Sequence, residues 1–326
     1  MNHDKIIQLI AHRNNLKVNS RRRYASGWIN FVYDLNEKYI IKIQGDLNHA
    51  DGILKPQAEI TGRLLAQGAK VPKIFDAGEI MGKPYLLMEK LSGTNLVYDW
   101  LKFSLKQREN FMAQLAEQLK IFHSLIFDNY AITISSGLNQ ANLREAVRQV
   151  TDFKRINRDK VKKDYLKEVD FLEKFYLANE SLLNEEKTGV LVHNDIHLEN
   201  IFYQGNKITG LIDLDWVCQA PKDYELRKLV EVFYDPKKTV EKQLEPLFEG
   251  YQMTKECGWL KKYYPQLFEY PNLITRIKLF SLDNLINKIV DYQNGRWSEQ
   301  VMINLRKQIQ DFYRSDWLEK LFVQSD

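Results

Sequence analysis

Apolar positions recur along this chain with two different periods, and the period changes near residue 92. Before that point short or alternating apolar runs dominate. Gly27–Leu35 and Lys38–Ile43, joined at Asn36-Glu37, read as two strands, and Lys73–Phe75 and Lys83–Glu89 as two more. Residues 5–12 have helical spacing, with Ile6, Leu9 and Ile10 on one face. Residues 56–67 do too, with Ile60, Leu64 and Leu65 apolar and Gly68 as a stop. Ser92-Gly93 breaks the pattern, and helical spacing takes over. Ser104-Leu105-Lys106-Gln107 is a capping-box sequence. It opens an amphipathic helix striped by Met112, Leu115, Ala116, Leu119, Phe122 and Ile126. Residues 141–183 are charged and helical, and residues 240–322 carry several more helical segments. Two short apolar strands interrupt them, Val190–Val192 and Ile208–Ile212, the second behind the turn Gln204-Gly205-Asn206-Lys207. The pattern predicts an α+β chain in two lobes. A small β-rich N-terminal lobe, 1–90, leads through a hinge at about 88–93 into a large, mainly helical C-terminal lobe, 91–326.

Composition narrows the class. A chain of 326 residues with 44% hydrophobic and 28% charged residues buries a sizeable core. No apolar run approaches the roughly 18 residues that span a bilayer. The N-terminus has no long apolar segment behind it, so a secretory signal is not expected. Cys218 and Cys257 lack any short metal-type spacing and read as packing residues in a reducing compartment. The expected location is cytoplasmic, with no membrane, nucleic-acid or obligate protein partner. The net charge of +4 is thinly spread. Its densest stretches, Arg21–Arg23 and Lys154–Lys163, read as solvated faces, with a triphosphate contact as the alternative for Arg21–Arg23.

The chemistry concentrates between His193 and Asp215. Asp195 and Asn200 lie five apart on one loop after the strand Val190–Val192. Asp213 ends the next strand, and a hairpin in that register brings it back beside Asn200. Phosphoryl transfer asks for positioning and charge neutralisation. Asp195 is placed to act as the base. Asn200 and Asp213 offer one amide and one carboxylate oxygen, a suitable pair for Mg²⁺, which keeps few protein ligands beside phosphates and water. Lys42, within the apolar run Tyr39–Ile43, needs a partner.

The stretch His193-x-Asp195 with Asn200, followed by Ile212-Asp213, resembles the signature of the aminoglycoside phosphotransferase family. That family belongs to the protein-kinase-like superfamily, with choline and homoserine kinases. The resemblance implies a protein-kinase-like fold, ATP or GTP as phosphoryl donor, and Mg²⁺. It also implies that Ser26 and Gly27 belong to the phosphate-covering loop and that Glu59 pairs with Lys42 to hold the α- and β-phosphates. Main-chain groups near Glu89 and Leu91 would read the base. The family commonly has Gly where Asn194 stands, and Asn tolerates the same unusual φ. Pro221–Leu226 resembles the family's Pro-containing helix start.

Seven residues separate Asp213 from Pro221. A segment this short favours a small-molecule hydroxyl acceptor over a polypeptide. From Trp216 onward 17 Lys and Arg balance 16 Asp and Glu, which is not the acidic bias a polycation pocket needs. An aminoglycoside, a macrolide, a choline-like cation, homoserine or a sugar all stay open. Asp283, on an expected helix Lys278–Tyr292, is a candidate acceptor contact. The competing class is a catalytically inactive nucleotide-binding regulatory protein of the same fold. It predicts loss of at least one of Lys42, Asp195, Asn200 and Asp213, and all four are present.

Overall fold

The structure is a computed structural model. It describes residues 3–24, 30–45, 54, 56–127, 148, 151–152, 154–155, 163–184, 189–293 and 299–323. In chain order its strands are β1 (Arg21–Arg23), β2 (Asn30–Leu35), β3 (Tyr39–Gln44), β4 (Ile74–Ile80), β5 (Lys83–Glu89), β6 (Thr94–Asn95), β7 (Val190–Val192), β8 (Ile201–Gln204), β9 (Lys207–Leu211) and β10 (Cys218–Ala220). The helices are α1 (His3–Arg13), α2 (Gln57–Ala66), α3 (Leu105–Phe122), α4 (Lys163–Asn179), α5 (Leu226–Tyr234), α6 (Thr254–Tyr263), α7 (Leu273–Phe280), α8 (Leu282–Gln293), α9 (Glu299–Tyr313) and α10 (Trp317–Val323). Packing divides the chain into two compact units, Met1–Ser135 with Asp195–Gln219, and Ser136–Asn194 with Ala220–Asp326.

The first unit is built on an antiparallel sheet in the order β1-β2-β3-β5-β4. Asn36 and Glu37, both with positive φ, make the tight turn between β2 and β3, the conformation whose twist matches the flanking strands. The period-two pattern sorts the faces. Ile41 and Ile43 of β3 join Tyr33 and Leu35 of β2, Tyr85 and Leu87 of β5, and Ile6, Ile7 and Ile10 of α1 in one buried cluster. Lys42 therefore points to the opposite face, where β5 contributes Leu86 as its partner in register. Arg21–Arg23 is an exposed edge strand against β2.

The expected hinge region stays inside this unit, because β6 pairs with β8 and so ties residues 94–95 to the hairpin β8–β9. Gly93 has φ +91°, and a Cβ there would lie 1.9 Å from the Tyr203 carbonyl oxygen, so only glycine fits. A Cβ on Gly210 would meet the Leu91 Cδ1 at 2.5 Å. The bare hairpin backbone thus seats the Leu91 side chain.

Ser104 caps α3 through the reciprocal box with Gln107. The stripe ends earlier than the sequence pattern suggests. α3 stops at Phe122, and Ile126 lies beyond it, 48% exposed.

The second unit carries β7, α4 to α10 and the buried acids Asp223, Glu225 and Glu256. The helix expected over Lys278–Tyr292 is two helices, broken at Ser281. The Ser281 hydroxyl donates to the Ile277 carbonyl at 3.0 Å, and its N–H reaches the same carbonyl at 3.2 Å. Of the region 141–183 expected to be helical, the long described helix is α4; residues 141–147 lie outside the described residues. Cys218 and Cys257 are buried and not joined in a disulfide, and burial pushes the Cys257 thiol up to about 12. Among the described residues no helix is long and apolar enough to cross a membrane.

Candidate active site

The hairpin β8–β9 sets the site's frame. Ile201 pairs with Leu211, and the next N–H, that of Ile212, donates to the Asn200 carbonyl at 3.0 Å. Asn200 and Asp213 are thereby held on adjacent chains, as the turn and strand lengths predict. Asn200 is buried. Its Nδ2 donates to the Asp195 carbonyl at 2.9 Å and to Asp195 Oδ2 at 3.2 Å. Committing the nitrogen to Asp195 leaves the amide oxygen as the open end. Asp213 adopts φ +63°, ψ +61°. A left-handed aspartate is costly unless its surroundings enforce it, and such strain collects at functional sites. His197 Nε2 lies 3.6 Å from Asp195 Oδ2, too far for a hydrogen bond and close enough to feel its charge.

Lys42 crosses to this hairpin from the sheet. Its Nζ lies 2.9 Å from Asp213 Oδ1 and 2.6 Å from Asp215 Oδ1. Asp215 is almost fully buried and accepts two further bonds, from Asn30 Nδ2 at 2.8 Å and Gln57 Nε2 at 2.5 Å. Burial works against all three charges. For Lys42 the two carboxylates outweigh it and raise the ammonium above its ordinary range. For Asp213 the Lys42 ammonium outweighs burial and holds the carboxyl below the usual range. For Asp215 burial and the neighbouring Asp213 charge prevail over Lys42, and its carboxyl is pushed up. Two carboxylates share one ammonium, so the cluster attracts a further cation at the Asp213 and Asn200 oxygens.

The expected Lys42–Glu59 pair is not formed. Gln57, Ile60, Thr61 and Leu64 are the buried face of α2, and at helical spacing Glu59 falls on the other side, exposed. Gln57 is the α2 side chain that reaches the cluster, and Asp215 is the second partner of Lys42. Glu59→Ala is expected to change unfolding free energy by no more than about 0.5 kcal/mol, as an exposed substitution does. Gln57→Leu, which strips a hydrogen bond from a buried carboxylate, costs about 1.5–3 kcal/mol. Denaturant titration of both variants reads the difference, and a larger loss from Glu59→Ala contradicts the assignment.

Other expected site residues are placed as follows. Glu89 is the exposed last residue of β5, its N–H donating to the Lys73 carbonyl at 2.8 Å. The Leu91 N–H has no hydrogen-bond partner among the described residues. Ser26 and Gly27 lie outside the described residues. Asp283 lies in the first turn of α8, and its side chain is likewise outside them.

Sequence reading missed the acids that follow Pro221. Glu225, fully buried, accepts the His193 N–H at 2.7 Å and the Asn194 N–H at 3.0 Å. It thus fixes the backbone of the two residues before Asp195. Asn194 has φ +65°, and its Oδ1 accepts from Arg227 at 2.7 Å. Asp223 is gripped by Arg276 at 2.5 and 3.0 Å, both side chains out of water. The available signal was an Asp and a Glu set against the apolar helix that starts at Leu226.

An antiparallel sheet with a buried lysine on its central strand, an Asp–Asn–Asp hairpin and a mainly helical C-terminal region make an α+β, protein-kinase-like fold. The same fold occurs in the crystal structure of aminoglycoside phosphotransferase APH(2'')-Ib with ADP bound, at TM-score 0.66 and 17% identity, over 94% of this chain and 97% of that one. It occurs also in the GDP complex of aminoglycoside 2'-phosphotransferase-IIIa, at TM-score 0.68 and 14% identity, over 95% and 98%. The chain belongs to the phosphotransferase enzyme family, whose model matches residues 20–262. An aminoglycoside 3'-phosphotransferase of Niallia circulans is 29% identical over 161 residues, which are 49% of this chain and 57% of that protein. The chain thus aligns with little more than half the length of this curated relative.

Proposed function

We propose that this chain transfers the γ-phosphate of ATP or GTP to a hydroxyl of a small molecule. The observation that carries the proposal is the convergence of Asp195, Asn200, Asp213 and Lys42 in one unit, bonded through the Ile212–Asn200 link. Asp195 is the base: it orients the acceptor hydroxyl and takes its proton as the oxygen attacks the γ-phosphorus. Asn200 Nδ2 holds that carboxylate in place.

The donor set fits Mg²⁺. Asn200 and Asp213 present two hard oxygens, and among the described residues no three His, Cys, Asp or Glu side chains converge as a closed cage. An ion that completes its shell with phosphate oxygens and water needs no more. When bound there, Mg²⁺ supplies charge neutralisation on the β- and γ-phosphates. Lys42, once nucleotide is bound, turns part of its charge from Asp213 to the phosphates.

Residues 1–90 are proposed to bind the nucleotide, the Ser26–Gly27 loop covering the phosphates and main-chain groups at Glu89 and Leu91 reading the base. The uncommitted Leu91 N–H supports that role. Residues 91–326 would supply the base and the acceptor region. Solved structures of fold relatives hold ADP, GDP, and streptomycin with ATP, which supports a purine nucleotide donor here.

Mg²⁺–ATP or Mg²⁺–GTP is expected to stabilise the native state by about 2.7 kcal/mol at a hundredfold excess over Kd. A thermal melt with each nucleotide, with and without Mg²⁺, reads it. No shift with either nucleotide in the presence of the metal defeats the proposal.

A further inference from the structure

Asp215 ties together three segments that lie far apart in the chain. It accepts from Lys42 Nζ at 2.6 Å, from Asn30 Nδ2 at 2.8 Å and from Gln57 Nε2 at 2.5 Å. Asn30 is the first residue of β2, directly after the segment that carries Ser26 and Gly27, and Gln57 is the first residue of α2. Among the described residues both side-chain amides hang on Asp215 alone: Asn30 Oδ1 is buried without a partner, and Gln57 makes no other side-chain bond. The two carboxylate partners of Lys42 differ in kind. The side chain of Asp213, the proposed metal ligand, is 40% exposed, whereas that of Asp215 is out of water at 5%.

A carboxylate that anchored Lys42 from α2 would make the lysine's aim depend on where that helix lies. Here α2 offers only a neutral amide and its Glu59 is exposed. The anchor sits instead two residues past the metal ligand, behind the left-handed turn at Asp213. We infer that Asp215 is a positioning residue of the phosphate site: it keeps Lys42 aimed when Asp213 turns to the metal, and through Asn30 it sets where the phosphate-covering loop enters the sheet. The inference rests on the phosphotransferase reading above and adds a residue that acts through Lys42 and Asn30, not on the substrate itself. Two effects of the Asp215 charge oppose each other. It draws part of the Lys42 charge away from phosphate, and it holds a long, flexible side chain in one geometry. Without that anchor the lysine stem must be ordered when phosphate binds, and its remaining pull on Asp213 competes with the metal. Positioning is the larger of the two.

Calorimetric titration with Mg²⁺–ADP and Mg²⁺–GDP, beside adenosine and guanosine, tests it. Wild-type protein is expected to bind at least one diphosphate. Asp215→Asn is expected to weaken that binding at least about tenfold, the loss of one charge-assisted contact. The matching nucleoside, which has no phosphate, binds the variant as it binds wild type. Adding Gln57→Glu to Asp215→Asn moves the carboxylate onto α2 and exchanges donor and acceptor across the 2.5 Å contact, so most of the lost affinity returns. Glu59→Gln, on the exposed side of α2, binds like wild type. Unchanged or tighter diphosphate binding in Asp215→Asn overturns the inference, as does an equal loss for the nucleoside, the mark of a general defect in the fold. A double variant that binds no better than the single one overturns it too, and so does a loss in Glu59→Gln. Should Asp215→Asn not fold, the double variant is read directly against wild type, and a tenfold deficit there counts against the inference. Failure of wild-type protein to bind either diphosphate instead defeats the phosphotransferase reading itself.

Discussion

Asp195→Asn lowers kcat by about 10²–10⁴-fold, the usual contribution of a positioned general base, while nucleotide-dependent stabilisation stays at the wild-type level. The side chain keeps its volume and an oxygen facing Asn200 Nδ2, which now stands 3.2 Å from Asp195 Oδ2. What it loses is the capacity to take a proton. Lys42 is bonded to Asp213 and Asp215, and the substitution leaves those bonds in place. Steady-state rates beside thermal melts with Mg²⁺–ATP separate the two effects. Full retained activity removes Asp195 as the base. Loss of the nucleotide response along with the rate assigns it to structure instead.

The second large effect is on stability. Arg276→Met strands the fully buried Asp223 without its two guanidinium bonds, and removing one partner of a buried pair typically costs about 3–5 kcal/mol. The loss has a defined pH dependence. Burial raises the Asp223 carboxyl, and Arg276 pulls it back only in part, so without Arg276 it rises further. A carboxyl whose folded value exceeds its unfolded one binds more protons in the native state, so stability falls as pH rises through that window. The deficit of Arg276→Met against wild type is therefore smallest in mild acid and grows toward neutral pH. Adding Asp223→Asn to Arg276→Met removes most of that dependence. Urea titrations at several pH values give the curves, and a deficit independent of pH contradicts the buried-charge account.

Much of this was legible from spacing because local geometry enforces it. The strand–turn–strand pattern around Gly205-Asn206 fixed which residues stand opposite, and hence the meeting of Asn200 and Asp213. Period two placed Lys42 opposite the α1-facing Ile41 and Ile43. Its partner was not legible. Glu59 and Gln57 sit on the same short helix, and only the tertiary position of α2 decides which of them faces inward. Asp215 lies two residues past Asp213, and the left-handed turn at Asp213 aims both carboxylates at one ammonium. Glu225 and Asp223 escaped for a related reason. An acid near a helix start reads as an ordinary first-turn residue, and its partners His193 and Arg276 lie 32 and 53 residues away. Ser281 shows the converse, a polar residue in an apolar stripe that ends one helix and lets another begin.

The proposed role of Asp195, Asn200 and Asp213 is to carry a phosphoryl group from nucleotide to a small-molecule hydroxyl. Phosphorus NMR of Mg²⁺–ATP or Mg²⁺–GTP with the protein and a panel of hydroxyl compounds tests it most directly. The panel holds neutral, anionic and aminoglycoside acceptors. A new phosphomonoester resonance is expected to grow as nucleoside diphosphate appears, and to be absent in Asp195→Asn. Nucleotide bound without any phosphomonoester, or the same resonance from Asp195→Asn at an undiminished rate, would contradict it.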